Sequence, residues 1–168
     1  KNQAVTQEFY DQAIRHAAVT DAGRLGGGAG VRSSGSGGGA GGRRVLEGMP
    51  ISVKDSIHME GAVSESEKTR GPLGPSEEDG LLVKVMRAHG AIPFVRGNVP
   101  QCLAGPLTPF RTGKKPWMLG RTPGGSSGGE ASLVSSRCAP LSIGSDVGGS
   151  IRIPCHFTGL GSSRPRRG

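Results

Sequence analysis

Large apolar side chains are scarce in this chain. Aromatic residues fill 4% of its 168 positions, with one Trp and one Tyr, and the hydrophobic share is 33%. So little material builds only a small core. No run approaches the roughly 18 apolar residues that cross a bilayer as a helix, so no membrane-spanning helix is expected. The opening residues Lys1-Asn2-Gln3-Ala4 carry no apolar segment of the kind that heads a secretory signal. They include no initiator Met, so the chain is expected to start within a longer protein. Cysteine is also sparse. The three thiols are Cys102, Cys138 and Cys155, an odd number without a C-x-x-C pair. A disulfide framework is therefore not expected, and a reduced, intracellular chain is. No Cys or His pair has finger-like spacing, and the adjacent Cys155 and His156 are poorly placed to share one metal, so no metal site is expected.

Positive charge is plentiful: 21 Lys and Arg against 13 Asp and Glu give a net charge of +8. Such an excess can serve a polyanion. Here the basic residues gather at Arg43-Arg44, Lys114-Lys115 and Arg164 to Arg167, with few aromatics between them. That is no stacking platform for nucleic acid, and no nucleic-acid partner is expected.

Glycine is the abundant residue, at 31 positions, beside 12 prolines. Residues 1–22 read as an N-terminal helix, with Val5, Phe9, Ala13 and Ala17 four apart and Ile14 beside them. Residues 23–44 form a low-complexity linker, since 11 of the 20 positions from Gly23 to Gly42 are Gly. Residues 45–160 have the character of a domain, and 161–168 are a basic tail. Within the domain, Pro50-Ile51-Ser52-Val53-Lys54 alternates as a strand ending at Lys54. Residues 60–75 read as a loop. Ser76-Glu77-Glu78-Asp79 reads as a capping box for a helix that buries Leu81, Leu82, Val85 and Met86 and stops at Gly90. Ala91 to Val95 is the next strand, which completes a βαβ unit. A helix from Ser127 to about Arg137, a buried strand from Pro140 to Gly144 and a short helix from Ile151 follow. The class is α/β with a mixed or mostly parallel sheet.

Two glycine–serine knots interrupt this pattern. One runs Thr122-Pro123-Gly124-Gly125-Ser126-Ser127-Gly128-Gly129-Glu130, and the other Gly144-Ser145-Asp146-Val147-Gly148-Gly149-Ser150-Ile151-Arg152-Ile153-Pro154. Gly-Ser clusters are ordinarily linkers, but apolar elements flank both, which argues for tight turns. Neither matches a phosphate-binding loop or a G-x-S-x-G elbow. His58, His89 and His156 each fit a surface or structural role as well as a catalytic one. Another chemistry remains. A serine hydroxyl becomes nucleophilic once a base takes its proton. A lysine serves as that base when burial lowers its pKa. A second serine can relay the proton, and a Gly-Gly turn leaves amides free for an oxyanion. Lys54, Ser126 and Ser150 are the residues that could fill these roles.

These blocks resemble the amidase signature family. Ile51-Ser52-Val53-Lys54-Asp55 and the two Gly-Ser knots are similar to its signature blocks in order and spacing, over about residues 47–160. Ala91 to Val95 and Asn98-Val99-Pro100-Gln101 resemble the intervening strand and loop. Glu130 and the Asn-Val-Pro-Gln run look closest to the branch of fatty-acid amide hydrolases and fungal amidases. The resemblance implies part of the amidase signature fold, a mixed β-sheet flanked by helices. It implies hydrolysis of linear amides, fatty acid amides among the candidates, through an acyl-enzyme and without a cofactor. Ser150 would be the nucleophile, Ser126 the bridging serine and Lys54 the base. Amides of Val147, Gly148, Gly149 and Ser150 would form the oxyanion hole, with Ser127, Asp146 and Arg152 in support. The implied partner is a small-molecule amide. A homodimer stays open, as does cytoplasmic against membrane-associated placement.

The sequence departs from the family pattern in places. Lys115-Pro116-Trp117 stands for Asn-Pro-Trp, Leu107-Thr108-Pro109 for Ser-Asn-Pro, and Gly159 to Pro165 loses apolar anchors. The chain resembles an N-terminal fragment, because the family's domain continues well beyond residue 168. Two alternatives therefore stand beside the amidase: a catalytically inactive fragment or interaction module, and a relative of the amidase subunit of glutamyl-tRNA amidotransferase.

Overall fold

A computed structural model of the chain describes residues 3–25, 44–64, 74–100 and 114–165. Most of the Gly-rich linker, Cys102, Leu107-Thr108-Pro109 and the last three residues lie outside these segments. The elements run β1 (Val5–Glu8), α1 (Tyr10–Leu25), β2 (Pro50–Lys54), α2 (Leu81–Ala88), β3 (Ile92–Gly97), α3 (Gly128–Ser135), β4 (Leu141–Ile143) and α4 (Arg152–Thr158). They build a four-stranded mixed sheet in the order β1-β3-β2-β4. β2 pairs in parallel with both β3 and β4, and β1 joins the far side of β3 antiparallel. The β2–α2–β3 unit read from the sequence is present, and β3 runs on to Gly97.

The two faces of β2 divide the molecule. Side chains alternate across a strand, so Ile51 and Val53 point one way and Ser52 and Lys54 the other. Ile51 and Val53 enter a core with Met59, Ala62, Val83 of α2, Ala91 and Ile143. A second, smaller cluster joins Ala4, Val95, Leu133 of α3 and Ala139. On the polar side the hydroxyls of Ser52 and Ser142 meet between β2 and β4. A strand that places Lys there without solvent must supply it with polar partners.

Three expectations are corrected. Residues 5–8 are a strand rather than helix, because their main chain completes the ladder on the free edge of β3; α1 starts at Tyr10 and leaves Ile14 66% exposed. Ser76 does not cap α2. Its main chain bridges to residues 60–62, Gly80 is the N-cap, and Asp79 instead accepts from the Glu60 amide at 2.9 Å and pairs with Arg87 at 2.7 Å. The buried face of α2 is Val83 with Met86 beside it, while Leu81 is 79% exposed. The third correction concerns β4, whose Leu141 is exposed rather than buried; no further strand pairs with β4 among the described residues.

Arg96 ties the strand ends to the chain that follows β2. It is 1% exposed, and its guanidinium donates to the carbonyls of Val63 at 3.0 Å, Ile57 at 2.9 Å and Asp55. The Asp55 carboxylate lies 3.9 Å away and also accepts from Thr6 at 3.0 Å. Deleting one member of a buried charged cluster strands the other. Arg96→Met is expected to destabilise the chain by about 3 kcal/mol in urea unfolding, with loss of cooperativity if the 55–63 segment detaches. A change within about 0.5 kcal/mol, the range of an exposed surface site, would show that the guanidinium does not carry this segment.

Candidate active site

Lys54 ends β2 fully buried. Its ammonium Nζ donates to Ser126 Oγ at 2.7 Å, Ser145 Oγ at 2.9 Å and the Ser145 carbonyl at 3.4 Å. Both serines come from the Gly-Ser knots, so the end of β2 and the two knots converge on one nitrogen. Ser126 and Ser127 form the approach to α3, with Ser127 as its N-cap, and the Gly125–Ser126 peptide is cis. The Ser127 amide donates to the Ser150 carbonyl at 3.0 Å, which pins one knot to the other. The Ser127 hydroxyl points to the Ser145 carbonyl at 3.5 Å.

Asp146 organises the second knot. Its carboxylate accepts the amides of Gly149 at 2.9 Å, Ile151 at 3.0 Å and Arg152 at 3.1 Å. The Arg152 guanidinium closes on it from outside at 2.9 and 3.1 Å, and Arg164 Nε donates to its carbonyl at 3.2 Å. The loop turns tightly enough for Gly149 to sit at φ +116°, a left-handed value that disfavours any side chain. Among the described residues, the amides of Val147, Gly148 and Ser150 donate to no protein acceptor, whereas that of Gly149 is held by Asp146. Val147 is 95% exposed, so this turn faces outward.

Burial shapes the electrostatics. It lowers the Lys54 pKa to about 8, against the opposing pull of the negative charges on Glu130 and Asp146. Burial pushes the Glu130 carboxyl up to about 8. The Arg152 side chain and the three amides hold the Asp146 carboxyl well below the usual carboxylate range, against the opposing effect of burial. A lysine whose neutral form is accessible near neutral pH, bonded to a hydroxyl, is equipped to accept a proton.

Of the residues expected from the sequence, Lys54 ends β2 and Ser126, Ser127, Asp146, Ser150 and Arg152 lie in the two knots; a hydrogen bond joins Lys54 to Ser126, and among the described residues none joins the hydroxyls of Ser126 and Ser150. No role is expected from the sequence for Ser145 or Glu130. Ser145 belongs to the second knot, yet nothing in residue type or spacing marks which serine meets Lys54. Glu130 belongs to the first knot, and only its burial sets it apart. A cavity of about 890 Å³ lies beside the site, between α3, β4 and the 160–165 segment. Ser127, Asp146 and Val147 reach it together with Leu82, Val134 and Ile143. Among the described residues no cluster of three His, Cys, Asp or Glu could hold a metal.

The family described as Amidase matches residues 2–168. The putative amidase AmiB2 of Mycobacterium tuberculosis (strain ATCC 25618 / H37Rv) is 42% identical over 132 residues, covering 76% of this chain and 28% of that protein. Fatty-acid amide hydrolase 1 of Sus scrofa is 40% identical over 129 residues, covering 74% of this chain and 22% of that protein. Among solved structures, the inhibitor-bound form of a vestigial protein complex related to the origins of an s-triazine catabolic enzyme superposes with a TM-score of 0.77. It is 28% identical and covers 92% of this chain and 32% of that one. The chain thus spans about a quarter of the length of the curated relatives it matches.

A carboxyl whose folded pKa is depressed contributes stability above its unfolded pKa and loses it as pH falls through the folded value. Asp146 is such a group. Asp146→Asn is therefore expected to lower Tm at neutral pH and to flatten the decline in Tm below about pH 4. Thermal unfolding at stepped pH reads both effects. Parallel curves for parent and variant would mean that the carboxylate does not hold the loop.

Proposed function

The chain belongs to the amidase family, and we propose that it carries the Ser-Ser-Lys site of a hydrolase acting on linear carboxamides. The single observation that supports this is the buried 2.7 Å hydrogen bond from Lys54 Nζ to Ser126 Oγ, with Ser150 on the adjoining turn. In this scheme neutral Lys54 accepts the Ser126 proton as Ser126 accepts that of Ser150. The Ser150 oxygen then forms a bond to the amide carbon, and the carbonyl π pair moves onto oxygen. Amides of Val147, Gly148, Gly149 and Ser150 hold that oxyanion. The Gly149 amide starts out on Asp146, so the other three are the ones already free to receive it. Collapse breaks the C–N bond, and the proton on Lys54 returns through Ser126 to the leaving amine. Water then hydrolyses the Ser150 ester by the same relay, releasing the acid and restoring the serine.

Asp146 and Arg152 act through the loop that carries Ser150, and Ser127 through the link between the knots. The substrate class is a small-molecule amide. Relatives that act on fatty acid amides and the apolar lining of the adjoining cavity, with Leu82, Val134 and Ile143, support an acyl group of apolar character. Among the described residues no helix is long and apolar enough to cross a membrane. A second reading, a catalytically inactive chain or interaction module, is favoured by the lack, among the described residues, of a hydrogen bond joining the hydroxyls of Ser126 and Ser150.

A fluorophosphonate probe separates the two. The active site is expected to give one covalent adduct by intact mass, absent in Ser150→Ala. Lys54→Ala is expected to label on the order of 10²- to 10⁴-fold more slowly, the range of general-base contributions. No adduct on the parent chain would leave the inactive reading standing.

The pH dependence follows from Lys54. Its neutral form grows as pH rises through about 8, so the labelling rate should climb through that range and level off above it. A rate that is flat between about pH 6 and 9, across an unperturbed histidine and the lowered lysine, would exclude Lys54 as the base.

A further inference from the structure

Glu130 is a buried carboxyl that the proposed chemistry leaves without a task. It sits in the first turn of α3 and is 4% exposed. Among the described residues, neither carboxylate oxygen has a hydrogen-bond partner of good geometry. The amide dipoles of Glu130 and Gly97 lie near enough to temper its affinity for a proton but are not aligned as hydrogen bonds. The carboxyl is wedged over Gly97, where a Cβ would come within 1.9 Å of Oε1. Gly97 is in turn the register partner of Lys54 across the β2–β3 ladder. A carboxyl placed this way is costly to ionise unless an opposite charge lies near it.

We propose that Glu130 is a positioning residue, whose buried carboxyl over Gly97 is the counter-charge that sets when Lys54 carries its proton. This rests on the assignment of Lys54 as the base. The two groups act on each other through a dry interior, so their protons leave as a coupled pair. Ionised Glu130 favours ammonium at Lys54, and ammonium at Lys54 favours carboxylate at Glu130. The remaining charge felt by Glu130 is Asp55, which follows Lys54 and opposes ionisation. Of the other elements packed on α3, β4 has no titratable residue. On β3, Arg96 is turned to the carbonyls of residues 55–63. On α4, Arg152 is held by Asp146, and Cys155 and His156 do not act on Glu130. Lys54 feels Asp146 as well, on its other side. The consequence is a base whose protonation is adjusted by a carboxyl that borders the cavity beside the site and takes no part in the relay.

The test follows the Lys54 Nζ resonance, assigned by its loss in Lys54→Met, through a pH titration of the full chain. In Glu130→Gln the Lys54 midpoint is expected to fall by on the order of one pH unit, as removal of a nearby opposite charge requires. The acidic limb of fluorophosphonate labelling should move to lower pH with it, whereas a merely structural role would lower the rate without moving the limb. The reciprocal measurement, the Glu130 carboxyl resonance in Lys54→Met, should move to higher pH. It decides the matter if Glu130→Gln does not fold. Midpoints unmoved in either folded variant overturn the coupling. If both midpoints move while Lys54→Ala labels at the parent rate, the coupling stands and the assignment of Lys54 as base is what fails.

Discussion

A lysine with no exposed surface, bonded among the described residues to two hydroxyls and a carbonyl, is the constraint to which this fold answers. An ammonium in a dry interior is expensive, and its cost falls only as polar partners surround it or as it gives up its proton. β2 delivers Lys54 to the polar face of the sheet, and Ile51 and Val53 anchor that strand from the opposite core. The two Gly-Ser knots then close around the nitrogen with Ser126 and Ser145. Each knot is itself held, one by the Ser127–Ser150 main-chain bond and the other by the Asp146 clasp. The rigid parts therefore surround a single group whose charge is easily changed.

That arrangement separates two kinds of electrostatic work. Asp146 is a carboxylate saturated with donors, and its negative charge fixes a loop. Glu130 is a buried carboxyl with no well-aligned donor among the described residues, and burial favours its protonated form. Arg96 belongs with Asp146, since it joins the strand ends to the 55–63 segment through carbonyls. Structural charges here are tied to main-chain groups, whereas Lys54 and Glu130 are set apart by burial, which brings both near the point of exchanging a proton.

What could be read in the sequence follows the range over which each signal acts. β2, β3 and the crossover between them are visible because alternation and helical spacing are local. β1 is not, because its partner lies about 90 residues away and its own residues fit a helix stripe equally well. The role of Asp79 is hidden for another reason: this apparent capping residue bonds to Glu60 and Arg87, 19 and 8 residues away, which only the folded chain brings to it. At the site, residue chemistry and the family blocks together bring Lys54, Ser126 and Ser150 into view. Ser145 and Glu130 escape because their significance lies in what they touch and in how dry they are. Neither property is written in spacing.

The close contact between Gly97 and Glu130 binds the histories of two positions 33 residues apart. A residue larger than glycine at 97 displaces the glutamate side chain, since a Cβ there would fall 1.9 Å from its carboxyl oxygen. A shorter residue at 130 opens that space without displacement. Descent through this pair is therefore easier in one order, with growth at 97 least disruptive after 130 has shrunk.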